Sequence, residues 1–257
     1  MQHKPYQAPL YSFFSPGIYR SAAREWGGLG YGYLFLLILS AGAVLSIPLH
    51  LSVSKFFNQE YPALVNQLPD FSIDQGEFHC DAEMPYEIKD PKTGEVVAVI
   101  DTREEAKFPE GAKIRIGKDK LVARRSAFES RTFEFAPIDN FDKSILNSWV
   151  NTIANLVVPA FFLGFVLFGF VFAAFQALFY GLIGMLFAKI LKIEVPYLAL
   201  VRVAVVAITP VIVIDLALKA ASINIPAWFL IAGGLELVAL FLGVRSLRQS
   251  NTAEPSS

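Results

Sequence analysis

Residues 144–188 read SILNSWVNTIANLVVPAFFLGFVLFGFVFAAFQALFYGLIGMLFA, 45 residues without one Asp, Glu, Lys or Arg. About 20 apolar residues suffice for a helix to cross a bilayer, so this run is long for one crossing and short for two. The number of crossings sets the topology of the whole chain. Basic residues in short loops favour the cytoplasmic side. Lys4, Arg20 and Arg24 precede the first apolar run, Lys189 and Lys192 follow 144–188, and Arg245 and Arg248 follow the last run. One crossing puts all three groups on one side, whereas two crossings put the later groups opposite the first. The charge pattern therefore favours four spans with both termini cytoplasmic, and five spans are the alternative.

The surplus length has its own reading. Ile145, Leu146, Trp149, Val150, Ile153, Leu156 and Val157 recur on one helical face, with Asn147, Asn151 and Asn155 on the other. That spacing predicts an amphipathic helix at the outer interface or in a soluble core. Pro159 is expected to break or kink it, so 147–190 reads as an amphipathic helix plus a long second transmembrane helix. The other spans are 31–53, 198–218 and 225–244.

Charge is segregated elsewhere too. Residues 26–54 carry none, while 54–146 carry 13 Lys or Arg and 18 Asp or Glu, a net of −5. The whole chain has 18% charged residues and a mean hydropathy of +0.47, against about 25% charged in soluble domains. The expected fold class is an α-helical membrane protein with an inserted small β-rich extracytoplasmic domain at 54–146. Within it, Asp74-Gln75-Gly76 and Gly117-Lys118-Asp119-Lys120 mark hairpin turns between alternating strands, giving four or five hairpin-linked strands. Residues 54–68 read as a helix leaving the membrane.

The N-terminal segment 1–30 begins a helix at Ser15-Pro16. Ile18, Tyr19, Ala22, Ala23 and Trp26 then alternate with Arg20 and Arg24, an interfacial cytoplasmic helix near anionic headgroups. Residues 245–257 read as a disordered cytoplasmic tail.

Ionisable groups inside spans are costly and mark candidate sites. Arg202, Asp215, Lys219 and Glu236 are the four. Antiparallel spans make an Arg202–Glu236 pair geometrically reasonable, and Asp215 and Lys219 pair at i, i+4. The leading reading is structural pairs that fix helix register; a proton or ion pathway is the sharper one. Gly169, Ala173, Ala177, Gly181 and Gly184 form a small-residue stripe for close helix packing, against another span of the chain or against a second copy.

The remaining chemistry is sparse. One cysteine, Cys80, excludes an internal disulfide framework. His79, Cys80, Asp81 and Glu83 match no standard zinc spacing, and His50 reads as an interfacial hydrogen-bonding group. No metal, cofactor or catalytic residue is expected, and the chain reads as non-enzymatic. The near-zero net charge argues against nucleic acid. The expected partners are the lipid bilayer and a membrane-protein partner or a second copy.

Ser15-Pro16-x-x-Tyr19-Arg20, Pro69-Asp70-Phe71-x-Ile73-x-x-Gly76-x-Phe78, Val99-Ile100-Asp101-Thr102 and Lys118-Asp119-Lys120-Leu121-Val122 occur in that order, with one span before and others after. The arrangement, over roughly 11–244, resembles a bacterial family of multi-pass membrane proteins of unknown function, some named for maltodextrin utilisation. The region 188–210, with Tyr197 and Pro210, is similar to Yip-type membrane proteins, although the Gly-Gly those carry is absent. The resemblance implies the bacterial inner membrane and a link to carbohydrate uptake, with no catalytic residues. Two functions follow as expectations: an accessory or scaffold protein whose outer domain binds a partner or envelope or sugar ligand, or a small oligomeric transporter or subunit using Glu236, Arg202 and Asp215.

Overall fold

The computed structural model describes residues 3–103, 111–125 and 129–248; of the disordered tail expected at 245–257, residues 245–248 are helical and 249–257 lie outside the described residues. It divides into two compact units, Met1–Leu49 with Pro159–Ser257, and His50–Val158. The described helices are α1 (Ala8–Tyr11), α2 (Pro16–Glu25), α3 (Leu29–Lys55), α4 (Tyr61–Val65), α5 (Lys143–Ile190), α6 (Tyr197–Ala220) and α7 (Trp228–Arg248). Four helical stretches among the described residues are long and apolar enough to cross a membrane: Gly30–Val65, Lys143–Ile190, Tyr197–Ala220 and Trp228–Arg248.

The run that opened the argument is one helix. α5 continues through Pro159, so of the break or kink expected there the break is excluded, and 144–157 belong to the same helix as 160–188. Proline removes one backbone donor. Apolar helix on both sides has no other partner for its backbone groups, so unwinding would cost more bonds than the proline does. α3 also runs beyond the predicted end at Val53, through a π-turn at Phe56–Glu60 into α4. In that turn the Tyr61 amide donates to the Phe56 carbonyl five residues back, and Pro62 next in line has no donor to place.

In the helical unit α6 is the centre. Leu200, Val201, Val203, Ala204, Val205, Val206, Ala207 and Ile208 are fully or almost fully buried. Small and β-branched side chains let neighbours approach on all sides, and α7, α2 and α1 pack against it. α5 presents its small-residue stripe inward. A Cβ added at Gly181 would lie 2.6 Å from Val201 Cγ2, one at Gly169 3.2 Å from Ile38 Cγ2, and one at Gly184 3.4 Å from Leu200 Cβ. The stripe is thus filled by α3 and α6 of the same chain. Its opposite face carries Phe168, Phe172, Phe175 and Phe179, all more than half exposed.

The N-terminal helix differs from expectation. Ile18 and Ala22 on α2 are fully buried, and the helix lies on α6 and α7. Its apolar face is covered by protein, not left for a lipid surface. The reason is a cleft: Gly243 on α7 has no side chain, and Tyr19 occupies the space, with Tyr19 Cδ1 2.5 Å from where a Gly243 Cβ would sit.

The second unit has eight strands among the described residues. β1 (Phe71–Asp74), β2 (Glu77–Cys80) and β8 (Phe141–Asp142) form a sheet in the order β2-β1-β8. β3 (Tyr86–Lys89), β4 (Val96–Ile100), β5 (Ile114–Ile116), β6 (Lys120–Arg124) and β7 (Ser130–Glu134) form a second, in chain order. Ile73 and Phe78 from one sheet and Ile88, Ala98 and Ile100 from the other share a core with Phe135. Gly76 turns at φ +81° where an added Cβ would meet Ala136 Cα at 2.8 Å, so the first hairpin requires glycine. The expectation of four or five hairpin-linked strands is corrected: the described strands number eight, β2 to β3 and β7 to β8 pass between the two sheets, and β4 and β5 pair in parallel, which a tight turn cannot connect.

Asp101, at the end of β4, is buried and accepts from Arg103 Nε at 2.8 Å and Arg103 Nη2 at 2.7 Å. Those hydrogen bonds hold its carboxyl below the ordinary carboxylate value. A lowered folded value gives stability that is present above the unfolded pKa, about 3.9, and is lost as pH falls through the folded value. Hydrogen exchange at the Asp101 amide, which donates to the Ile116 carbonyl, is therefore expected to be pH-independent in protection above about pH 5. It should lose protection in acid, and Asp101→Asn should flatten that dependence.

Candidate functional site

Ionisable side chains in the apolar helices are the candidates, and Arg202, Asp215, Lys219 and Glu236 each have a partner within the chain. Arg202, in the second turn of α6, donates from Nε to the Ala22 carbonyl at 3.0 Å and from Nη2 to the Ala23 carbonyl at 2.6 Å. These belong to the last turn of α2, where carbonyls lack helical partners and the dipole is negative. The guanidinium is a cap for α2. Gly30 lies against its stem, a Cβ there standing 3.3 Å from Arg202 Cγ.

Glu236 is 5% exposed on α7. Its Oε2 accepts from Gln176 Nε2 at 2.8 Å and from the Tyr180 hydroxyl at 2.6 Å, both on α5. The expected Arg202–Glu236 pair is corrected. Arg202 is five residues from its helix start and Glu236 twelve from its helix end, so at 1.5 Å per residue the two stand about 10 Å apart in depth. Gln176 and Tyr180, one turn apart, were missed. The signal was present, since Gln176 is the sole amide side chain between 160 and 188.

Asp215 and Lys219 meet across one turn of α6, with Lys219 Nζ 2.7 Å from Asp215 Oδ2. Trp228 Nε1 donates to Asp215 Oδ1 at 3.1 Å, joining the start of α7 to the end of α6. A further pair ties α3 to α6. Thr209 Oγ1 donates to the Val205 carbonyl at 2.9 Å, so the Tyr33 hydroxyl, 3.1 Å away, donates to Thr209. His50 is exposed on α3, and His79 lies on β2 opposite Ser72. Among the described residues no group of three or more His, Cys, Asp or Glu is placed to hold a metal ion.

Two of the hollows in the helical unit bear on the candidate residues. One, of about 360 Å³, is lined by Ala23, Arg24, Glu194, Pro196, Arg202 and Leu247, among others. It puts the end of α2, the α5–α6 loop and the end of α7 together. The three basic groups of the sequence are therefore at one end of the bundle, while Asp215, Lys219 and Trp228 are at the other. The second hollow, of about 280 Å³, lies between the α1–α2 turn, α6 and α7, and is almost wholly apolar. Neither is lined by Glu236.

No curated protein and no solved structure matches the chain. A family model described as "Protein of unknown function (DUF1189)" matches residues 6–244. That match takes in both units, from the N-terminal arm to the last turns of α7. The chain belongs to the DUF1189 family, a family of unknown function.

Proposed function

We propose that this chain is a non-enzymatic multi-pass protein of the bacterial inner membrane, an accessory or scaffold protein that holds its β-rich unit outside the cell membrane. The single observation that carries the reading is the internal pairing of the charged groups within the apolar helices. Arg202 caps α2, Glu236 is held by Gln176 and Tyr180, and Asp215 is held by Lys219 and Trp228. Charges so arranged fix helix positions and leave no chain of groups along a path. A carrier's midplane site needs discontinuous helices around an accessible ligand position, and among the described residues Glu236 lines none of the hollows of the bundle.

The orientation follows from the basic end. Arg24, Lys192 and Arg248 lie in segments gathered at one end, and such groups favour the cytoplasm. Both termini are then cytoplasmic and residues 54–146 extracytoplasmic, where the two-sheet unit meets a partner or an envelope or sugar ligand. The resemblance to proteins named for maltodextrin utilisation supports carbohydrate uptake as the process served.

Reconstitution tests this reading against the transporter alternative. Glu236→Gln keeps the shape and both hydrogen bonds but removes the charge. In proteoliposomes, wild type and variant are expected to show the same background leak of protons, sodium and maltodextrins. In native membranes, cross-links through the β-rich unit should persist in the variant. Solute flux that falls tenfold or more, about 1.4 kcal/mol, in Glu236→Gln would replace the scaffold reading with transport.

A further inference from the structure

We infer that the N-terminal arm is a re-entrant element, and that its tip, with α6 and α7, forms a site for one acyl chain of a membrane lipid. The inference rests on the membrane reading above. The arm's course comes first. Ala22 and Ala23 touch Arg202 near the start of α6, whereas Pro16, at the other end of α2, lines the same hollow as Pro210 and Val211. α2 therefore runs antiparallel to α6, and the Phe13–Phe14–Ser15 turn is its deep end.

Depth can be read from both walls. Pro210 is eight residues beyond Arg202, about 12 Å along α6. Leu235 is ten residues before Arg245, about 15 Å along α7. Each is about half of a 30 Å hydrocarbon core. The turn is an interruption between helices at mid-depth, and its amides are paired within the arm: Ser12 donates to the Ala8 carbonyl, and Phe14 and Ser15 donate to the Tyr11 carbonyl, as backbone in hydrocarbon requires. Tyr19 closes the arm on itself, its hydroxyl donating to the Ser12 carbonyl at 2.8 Å.

The chemistry of the hollow names its occupant. Phe13, Tyr19, Ile214, Leu235 and Leu242 line it, and Phe14 and Val238 at its rim are 81% and 57% exposed. At that depth the surrounding medium is hydrocarbon. Left empty, the walls would lose dispersion contacts, and water would find few partners. Ser12 Oγ is buried there without a hydrogen-bond partner among the described residues. Arg20 and Arg24 stand about 6 and 12 Å above the tip along α2, toward headgroup level.

The test uses the full chain in phosphatidylcholine vesicles containing a phosphatidylcholine with a photoreactive group at mid-chain. After irradiation, adducts are mapped by mass spectrometry. Adducts per residue at 12–16, 210–214 and 235–242 are expected to exceed those on the exposed Phe168–Phe172–Phe175 face by about fivefold. Ala239→Phe should bring them down to that level, and Ser12→Ala should leave them unchanged. In a Cys80→Ser background, Phe14→Cys should resist an impermeant maleimide from both sides.

Equal labelling of the two faces overturns the site. Loss of labelling in Ser12→Ala overturns the acyl chain as occupant, since the ligand would then be held by a polar group. A disulfide dimer through Val238→Cys gives the groove to a second copy and also overturns it. Modification of Phe14→Cys from either side overturns the re-entrant course. Absence of adducts on both faces refutes the membrane reading itself, which separates that failure from failure of the site.

Discussion

Gly243→Leu detaches the N-terminal arm. Even the first added carbon would fall 2.5 Å from Tyr19 Cδ1 and 2.9 Å from Val203 Cγ1, and a leucine adds three more. Both neighbours are buried, and Val203 sits on the helix at the centre of the core, so neither can yield freely. Overpacking of a dense core costs typically 1–3 kcal/mol, and this site offers no slack. The expected loss is about 3 kcal/mol in reversible unfolding in detergent, with faster proteolysis in the arm. In a double-mutant cycle, Gly243→Ala should cost less in a Tyr19→Ala background than in the wild type, because the nearest clash is with that ring. Unchanged stability in Gly243→Leu would mean that α2 does not lie on α7.

Arg202→Ala has the second largest expected effect, for a different reason. It removes two charge-assisted hydrogen bonds from the carbonyls of Ala22 and Ala23. Bonds to charged groups contribute about 1.5–3 kcal/mol each, and orphaned buried acceptors cost more than the average bond gains. The two share one side chain, so the sum is not additive; about 3 kcal/mol is expected. Arg202→Lys should recover about half, since one ammonium cannot reach both carbonyls in the geometry of the fork. Hydrogen exchange should show the loss concentrated in α2. A loss centred on α7 near Glu236 would instead point to the Arg202–Glu236 pair that the sequence suggested.

That pair illustrates what the sequence carried and what it did not. Charge-free runs marked the four long helices, because a charge in an apolar span is costly and its absence is conspicuous. That 144–188 is one helix agrees with the reading taken from basic residues outside it, although Pro159 suggested a break that the helix does not make. A proline's local cost is visible in sequence; the lack of alternative partners for its neighbours is not. Turn residues such as Asp74-Gln75-Gly76 gave the hairpins, but the parallel β4–β5 pairing depends on a contact between segments that no local pattern encodes.

The site was partly legible on the same terms. Arg202, Asp215, Lys219 and Glu236 stood out as charges in apolar runs. Asp215–Lys219 is a contact within one turn and follows from helical spacing. Partners on other helices depend on relative depth and rotation. A reading by charge attraction sent Arg202 to Glu236, whereas the neutral donors Gln176 and Tyr180 hold the carboxylate. The arm followed the same pattern: Arg20 and Arg24 announce a basic end, and nothing local reveals that Gly243 leaves room for Tyr19.

The central claim is an even number of crossings with the β-rich unit outside. In a Cys80→Ser background, Thr93→Cys on the exposed β3–β4 turn and Glu194→Cys on the exposed α5–α6 loop are labelled with an impermeant maleimide. Labelling is done on spheroplasts before and after permeabilisation, beside a tag on the C-terminus. The account predicts that Thr93→Cys reacts in intact spheroplasts, while Glu194→Cys and the tag become reachable only after permeabilisation. Labelling of Glu194→Cys from outside, or protection of Thr93→Cys until permeabilisation, would contradict it.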